Sequence, residues 1–175
     1  MSMLVTGYVT GYALREAIKQ WELRKDAANR VFDESLKIFP GEEKPHPSKL
    51  IEQYLAAEVA IAQLQTAQAQ YNLIVSFDFE GRKITLCEAV KSLGGYSRVE
   101  KLWRTAAGGG KKERYGYNDN NERDSTKIYA VQVVTPMQGV EQATVAARRA
   151  SALRAGIATG NATTCEISLN PELLK

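Results

Sequence analysis

The chain has 175 residues, of which 44% are apolar and 25% charged, a balance typical of a folded globular domain and not of a disordered one. Its 23 basic and 20 acidic residues nearly cancel, so no field of the whole protein attracts polyanions. No window approaches 18 apolar residues and residues 1–5 show no secretory pattern, which predicts one cytoplasmic domain over 1–175 without a transmembrane segment.

The chain opens on a tandem repeat, VTGYVTGY at residues 5–12. Because the repeat is rich in residues that favour strands, residues 1–12 form either a strand arm that contacts a neighbour or an unstructured start. Residues 13–38 contain neither Gly nor Pro and carry apolar residues at steps of three and four, which predicts a first amphipathic helix. Phe39-Pro40-Gly41 ends this helix.

A second helix is predicted from Ser48, which has the side chain of an N-cap. Its apolar seam has coiled-coil spacing and consists of Leu50, Tyr54, Ala57, Ile61, Leu64, Gln68 and Tyr71. Further apolar residues lie beside that seam, namely Ile51, Leu55, Val59 and Ala62. The helix therefore needs more than one neighbour. The short connection at 42–47 makes the first two helices an antiparallel hairpin.

Short runs of β-branched and aromatic residues predict strands at 73–79, 83–86, 128–134 and 163–169. An isolated pair of strands is marginal in water, so we expect these strands to share one sheet. Residues 108–125 are mostly Gly, Asn and charged residues without periodicity, which predicts a mobile loop. The glycines that precede Lys111 lack the spacing of a phosphate-binding loop.

The stretch between the predicted strands and this loop is strongly basic. Thr85 and Glu88 form a capping box for a short helix, Gly94-Gly95 is expected to break it, and a further helix is expected over 97–103. Residues 82–104 carry six basic and two acidic residues. The candidate polyanion-binding residues are Lys91, Arg98, Lys101, Arg104, Lys111, Lys112, Arg114, Tyr115 and Tyr117.

The last long helix has the clearest start. Thr135-Pro136-Met137-Gln138 combines a capping residue, a Pro at the first helical position and a Gln three residues after the cap. Gly160-Asn161 is the predicted stop. The predicted fold class is therefore mainly α: a long antiparallel helical hairpin plus a third long helix, with a small β element of three or four short strands.

The chain offers little that catalysis or metal binding would use. Cys87 and Cys165 lie far apart and are expected to be reduced and half-buried, while His46 is the one histidine and lies between two prolines. Adjacent carboxylates such as Glu42 and Glu43 are interpreted as ordinary surface residues without a catalytic role. We predict no catalytic residues, no metal site and no cofactor, and a protein that is not an enzyme.

The order of these predicted elements resembles that of the septicolysin-like proteins, a family of small helical bacterial proteins. The resemblance covers about residues 10–165 and rests on the long charged first helix, the second helix ending at Asn72, the Gly81 turn before Thr85 to Ala89, and Asn161 near the end of the last helix. The chain departs from the family at Gly94-Gly95 and lacks an aromatic residue after Asn161. The resemblance implies a helical-hairpin subunit that forms rings or other homo-oligomers.

These observations leave several functions open. The long amphipathic helices favour a non-enzymatic protein that self-assembles into a homo-oligomer and acts through protein–protein interaction. The alternative is a nucleic-acid-binding module that uses the basic region 82–117. A third function, a membrane-active protein, follows from the family's cytolysin name, although the helices are too charged to span a bilayer unchanged.

Overall fold

The computed structural model describes the backbone of residues 5–110, 113–117 and 123–175 and the side chains of residues 6–110 and 129–175. The helices are α1 (Gly11–Ser35), α2 (Pro47–Ile74), α3 (Leu86–Ala107) and α4 (Pro136–Ala162), followed by a 3₁₀ turn at Pro171–Leu174. The strands are β1 (Val5–Val9), β2 (Ser76–Phe79), β3 (Arg82–Thr85), β4 (Glu113–Tyr117), β5 (Arg123–Tyr129) and β6 (Cys165–Leu169). The predicted class, mainly α with small β elements, is confirmed.

The chain divides into two compact units. The first unit comprises Met1–Ala89 and Ala155–Lys175, and the second comprises Val90–Arg154. The boundaries between them fall within α3 and α4.

In the first unit, α1 and α2 form the predicted antiparallel hairpin. The Thr10 side chain accepts a hydrogen bond from the Ala13 N–H and starts α1 earlier than the apolar pattern indicated. The prediction that Ser48 caps α2 was wrong, because His46 is the N-cap and Pro47 takes the first helical position, where its missing N–H costs nothing. An ion pair of 3.3 Å between Lys25 and Glu58 joins the two helices.

The core of the first unit lies at the open end of the hairpin. Its buried residues come from α1, α2, α3 and the strand pair β1–β6, namely Val9, Leu14, Ala17, Ile18, Ala60, Leu64, Ala67, Tyr71, Val75, Leu86, Ile167, Leu169 and Leu173. The Tyr71 hydroxyl lies 2.6 Å from the carbonyl oxygens of both Gly160 and Thr163. This contact ties α2 to the end of α4.

The strands form three separate two-stranded sheets, so the prediction of one shared sheet was wrong. β1 pairs antiparallel with β6, and the VTGYVTGY arm therefore pairs within its own chain. β2 and β3 form the predicted hairpin, in which Glu80 and Gly81 take positive φ values of 50° and 80°. β4 pairs with β5, so residues 113–117 and 123–125 lie in strands where a mobile loop was predicted.

Helix α3 runs without interruption from Leu86 to Ala107, so the predicted break at Gly94-Gly95 was wrong. Neither glycine has a positive φ, and the turns before and after them are helical. Each Gly costs a helix about 1 kcal/mol relative to Ala, which a helix of 22 residues tolerates. The Thr85 cap is confirmed, since its Oγ1 accepts a hydrogen bond of 3.1 Å from the Glu88 N–H.

In the second unit, α4 packs antiparallel against α3. The capping box is confirmed, because the Gln138 N–H donates to Thr135 Oγ1 and the Thr135 N–H donates to Gln138 Oε1. The buried face of α4 carries Gly139, Ala143, Ala146, Ala150 and Leu153. These small residues let the helices approach so closely that a Cβ on Gly139 would lie 2.7 Å from the Ala107 nitrogen. α4 ends at Ala162, just beyond the predicted Gly160-Asn161 stop.

Candidate functional site

Helix α2 has apolar residues on two opposite sides. Most of the predicted seam is buried, with Leu64 and Tyr71 fully so, while Tyr54 and Gln68 are half-buried. The opposite side carries a second row at steps of three and four, here named the outer stripe, made of Ile51, Leu55, Val59, Ala62, Thr66, Ala69 and Leu73. All of these residues are exposed, Leu55 and Val59 to 58% and Leu73 to 63%. A helix that is apolar on both sides is normally covered on both sides.

The second half of α2 also lacks charge. Val59–Ile74 contains no Asp, Glu, Lys or Arg, although nine of its residues are exposed to solvent. The exposed polar positions there are Gln63, Gln65, Thr66 and Gln70. Depletion of charged residues is what separates the centre of a protein interface from ordinary surface. The outer stripe together with this uncharged surface is the strongest candidate for an interaction site in the first unit.

Towards its closed end, the hairpin has apolar surface on both faces. A cavity of about 220 Å³ is lined by Phe32 and Tyr54 together with Ala28 and Leu50. A second cavity, of about 550 Å³, is lined by the same Ala28 and Leu50 but otherwise by residues such as Val31. Phe32 and Val31 project about 100° apart on α1. The two cavities therefore lie on different sides of that helix and share Ala28 and Leu50. Exposed Leu36, Ile38 and Phe39 extend this apolar surface beyond α1.

The predicted polyanion-binding residues are brought together only in part. Lys91, Arg98, Lys101 and Arg104 are all exposed on α3 in the second unit and are here named the basic row. Arg104 forms an ion pair of 2.8 Å with Glu100. Lys111 and Lys112 lie outside the described residues. Arg114, Tyr115 and Tyr117 belong to β4, where only the backbone is described.

The structure shows few perturbed ionisable groups. Burial raises the pKa of Tyr71. The Gly11 N–H donates a hydrogen bond to the Tyr71 hydroxyl, and this bond opposes the rise in pKa. A hydrogen bond to Glu58 raises the pKa of the half-exposed Lys25, and one from Lys44 lowers the pKa of Glu42. Each of these groups has a partner that serves the fold, and they lie in different parts of the hairpin.

The described part of the chain offers neither a metal site nor a membrane-spanning helix. Within residues 6–110 and 129–175, no group of three or more His, Cys, Asp or Glu side chains is placed to hold a metal ion. None of the helices described there combines the length and apolar character needed to cross a membrane. Cys87 and Cys165 are free thiols and half-buried, as predicted.

No family model and no curated protein matches this chain. Among solved structures, the chain is similar to a functionally unknown conserved protein from Corynebacterium diphtheriae, with a TM-score of 0.61 and 14% sequence identity over 90% of this chain and 99% of the other. At this identity the likeness shows a shared fold. The resemblance to septicolysin-like proteins stays a prediction.

The apolar pattern of the sequence indicated only part of the outer stripe. The apolar pattern places Ile51, Leu55, Val59 and Ala62 beside the buried seam, whereas Ala69 lies between two glutamines and Leu73 falls in the predicted strand 73–79. The signal that identifies this second half is the run of 16 residues without charge.

Proposed function

We propose that this chain acts through self-assembly, with the outer stripe of α2 packed against the outer stripe of a second copy. The observation that carries the proposal is the exposed apolar row opposite a fully buried one on the same helix. Burial of apolar surface is the main favourable term in association, and this row offers it over about 33 Å of helix.

A second copy suits this surface because the part of the stripe from Val59 to Leu73 is nearly symmetric about Thr66. If two α2 helices pack antiparallel with Thr66 at the centre, Val59 of one copy lies opposite Leu73 of the other. Ala62 then lies close to Ala69, and these small side chains permit close approach at the middle of the contact. Two-fold contacts in which one patch meets itself are the commonest kind in soluble homo-oligomers.

The lack of charge also supports a second copy. A partner with a different surface is usually selected through complementary charges, which Val59–Ile74 does not provide. Two identical uncharged surfaces meet without placing like charges opposite each other. Self-association through α2 therefore does not require charged residues, which Val59–Ile74 lacks.

The test is Thr66→Arg, which places two arginines at the proposed two-fold axis. Thr66 donates only to the Ala62 carbonyl within its own helix, so the substitution removes no tertiary contact. We expect light scattering at micromolar concentration to show a dimer for the unaltered chain and a monomer for Thr66→Arg. Circular dichroism should show both folded.

Thr159→Arg is the matched control, because Thr159 is also an exposed helical threonine but lies on α4. It should leave the dimer intact. A monomeric unaltered chain at all micromolar concentrations contradicts self-assembly itself. A dimer that survives Thr66→Arg contradicts the outer stripe as its contact.

A further inference from the structure

The positive charge of the chain is concentrated in the second unit. Val90–Arg154 contains 12 basic and 6 acidic residues, whereas the rest of the chain contains 11 basic and 14 acidic residues. Among the residues of the second unit whose side chains are described, 90–110 and 129–154, seven are basic and two, Glu100 and Glu141, are acidic. The net charge of the whole chain is therefore small because an acidic first unit offsets a strongly basic second unit.

One side of α3 combines cations with a bare helix backbone. Lys91 and Arg98 are seven residues apart, which puts them on the same side of the helix at a rise of about 10 Å. Gly94 and Gly95 lie between them on that side. A Cβ on Gly95 would meet nothing within 4 Å, and one on Gly94 would meet only Arg98 Nη1, at 3.6 Å. The Arg98 guanidinium thus lies over the half-buried backbone of Gly94, and the space above Gly95 is open.

Fold stability does not account for these glycines. Alanine fits at both positions without a clash, and a helix interior favours Ala over Gly by about 1 kcal/mol. Residues that cost stability with no compensation inside the fold mark places where a ligand or another backbone comes close. The cations beside them are available, since within the described structure neither Lys91 nor Arg98 forms an ion pair.

We propose that this side of α3, with Gly94 and Gly95 between Lys91 and Arg98, binds the phosphate backbone of a nucleic acid. The glycines let the sugar-phosphate chain approach the helix, and the two cations neutralise phosphates on either side of the contact. Lys101 continues the positive surface one turn further along α3. Such contacts hold the backbone and read no bases, so binding is independent of sequence.

A nucleic acid fits this surface better than an anionic membrane does. Binding at a membrane surface needs a broad apolar face beside the cations, to be inserted between the lipids. Between Lys91 and Arg98 this side of α3 presents glycine backbone, and Leu102 is the one large apolar residue that follows on it.

The experiment measures fluorescence anisotropy of labelled 20-nucleotide single-stranded RNA and of duplex DNA of the same length, with the full chain. We expect binding at 50 mM salt that weakens steeply towards 200 mM. Lys91→Glu with Arg98→Glu should weaken binding at least tenfold and reduce the slope of log K against log salt by about 1.4 for the single strand or 1.8 for the duplex, because two phosphate contacts are lost.

Arg30→Glu with Lys49→Glu is the control, since both residues are exposed in the first unit and the change in charge is the same. Equal weakening by the two pairs overturns the proposal, as does the absence of binding at 50 mM salt. Preference for vesicles of phosphatidylserine and phosphatidylcholine over both nucleic acids overturns it in favour of a membrane surface.

Gly94→Ala with Gly95→Ala separates binding from folding. We expect this variant to unfold at a higher temperature than the unaltered chain and yet to bind nucleic acid more weakly, by about threefold or more. Unchanged affinity in the stabilised variant overturns the close approach at the glycines. The substitutions that test the site lie on α3 and the control pair lies outside the outer stripe, so none of these results depends on whether the outer stripe of α2 forms a dimer.

Discussion

The α1–α2 hairpin and the α3–α4 pair are both antiparallel helix pairs, but they leave different surfaces to solvent. In the hairpin, α2 is apolar on two sides and its second half has no charge. In the other pair, α4 buries a face of small residues, while the exposed sides of α3 carry the basic row. One supersecondary motif thus presents an apolar surface in one unit and a cationic surface in the other.

This difference follows from how each pair achieves its internal packing. Gly139 lets the start of α4 approach the end of α3 closely, and the buried face of α4 continues with Ala143, Ala146 and Ala150, so few large side chains are used. The hairpin packs through Leu14, Leu50 and Leu64, and still has exposed leucines on its outer side. Large apolar residues beyond the needs of internal packing are what indicate a partner.

The largest expected effect separates the two sides of α2. Leu64→Ala removes a fully buried side chain and should lower the free energy of unfolding by about 3 kcal/mol. Leu55→Ala makes the same chemical change at a position that is 58% exposed and should alter monomer stability by less than about 0.5 kcal/mol. Urea denaturation measures both. Equal losses would show that the outer stripe is part of the core of the single chain.

Much of the helical fold was predictable because its signals are local. The Thr135-Pro136-Met137-Gln138 cap and the buried seam of α2 depend on residues within one or two turns of each other. The pairing of β1 with β6 joins Val5 to Leu169, and no short-range pattern encodes it. Gly94 and Gly95 wrongly predicted a helix break, because the general rule that glycine interrupts a helix takes no account of how well the flanking turns support one. For the candidate sites, composition located the basic row, whereas the apolar pattern indicated only the first part of the outer stripe and the exposure of its side chains completed it.

A second pair of substitutions compares two helical glycines. In Gly139→Ala the new Cβ would lie 2.7 Å from the backbone nitrogen of Ala107, so the two helices must move apart, at a cost of about 2 kcal/mol. In Gly95→Ala the new methyl group meets open space, and the helix should gain about 1 kcal/mol. Thermal and urea unfolding should therefore shift in opposite directions. A stabilising Gly139→Ala would contradict the close packing of α3 and α4.

The polar contact at Tyr71 belongs to the first unit alone. Tyr71→Phe leaves the carbonyls of Gly160 and Thr163 and the Gly11 N–H without this partner, which should cost about 1.5 kcal/mol. Burial raises the pKa of Tyr71, so the protonated hydroxyl is favoured in the folded state. Its contribution is therefore complete below the unfolded pKa of about 10 and is lost as pH rises through the higher folded value. Urea denaturation between pH 8 and 11 should show this loss in the unaltered chain and less of it in Tyr71→Phe.

The smallest expected effect compares the starts of α1 and α4. Thr10 only accepts a hydrogen bond from the Ala13 N–H, whereas Thr135 shares a reciprocal pair of hydrogen bonds with Gln138. Thr135→Ala removes one of these bonds and frees the Gln138 side chain that makes the other, so it should cost about 1 kcal/mol, somewhat more than Thr10→Ala.

Gln138→Ala tests the reciprocity, because it leaves the Thr135 hydroxyl bonded to the helix and should cost less than Thr135→Ala. The double variant should then cost less than the sum of the two single changes, since each side chain holds the other in place. Strict additivity in urea denaturation would show that the two hydrogen bonds act independently.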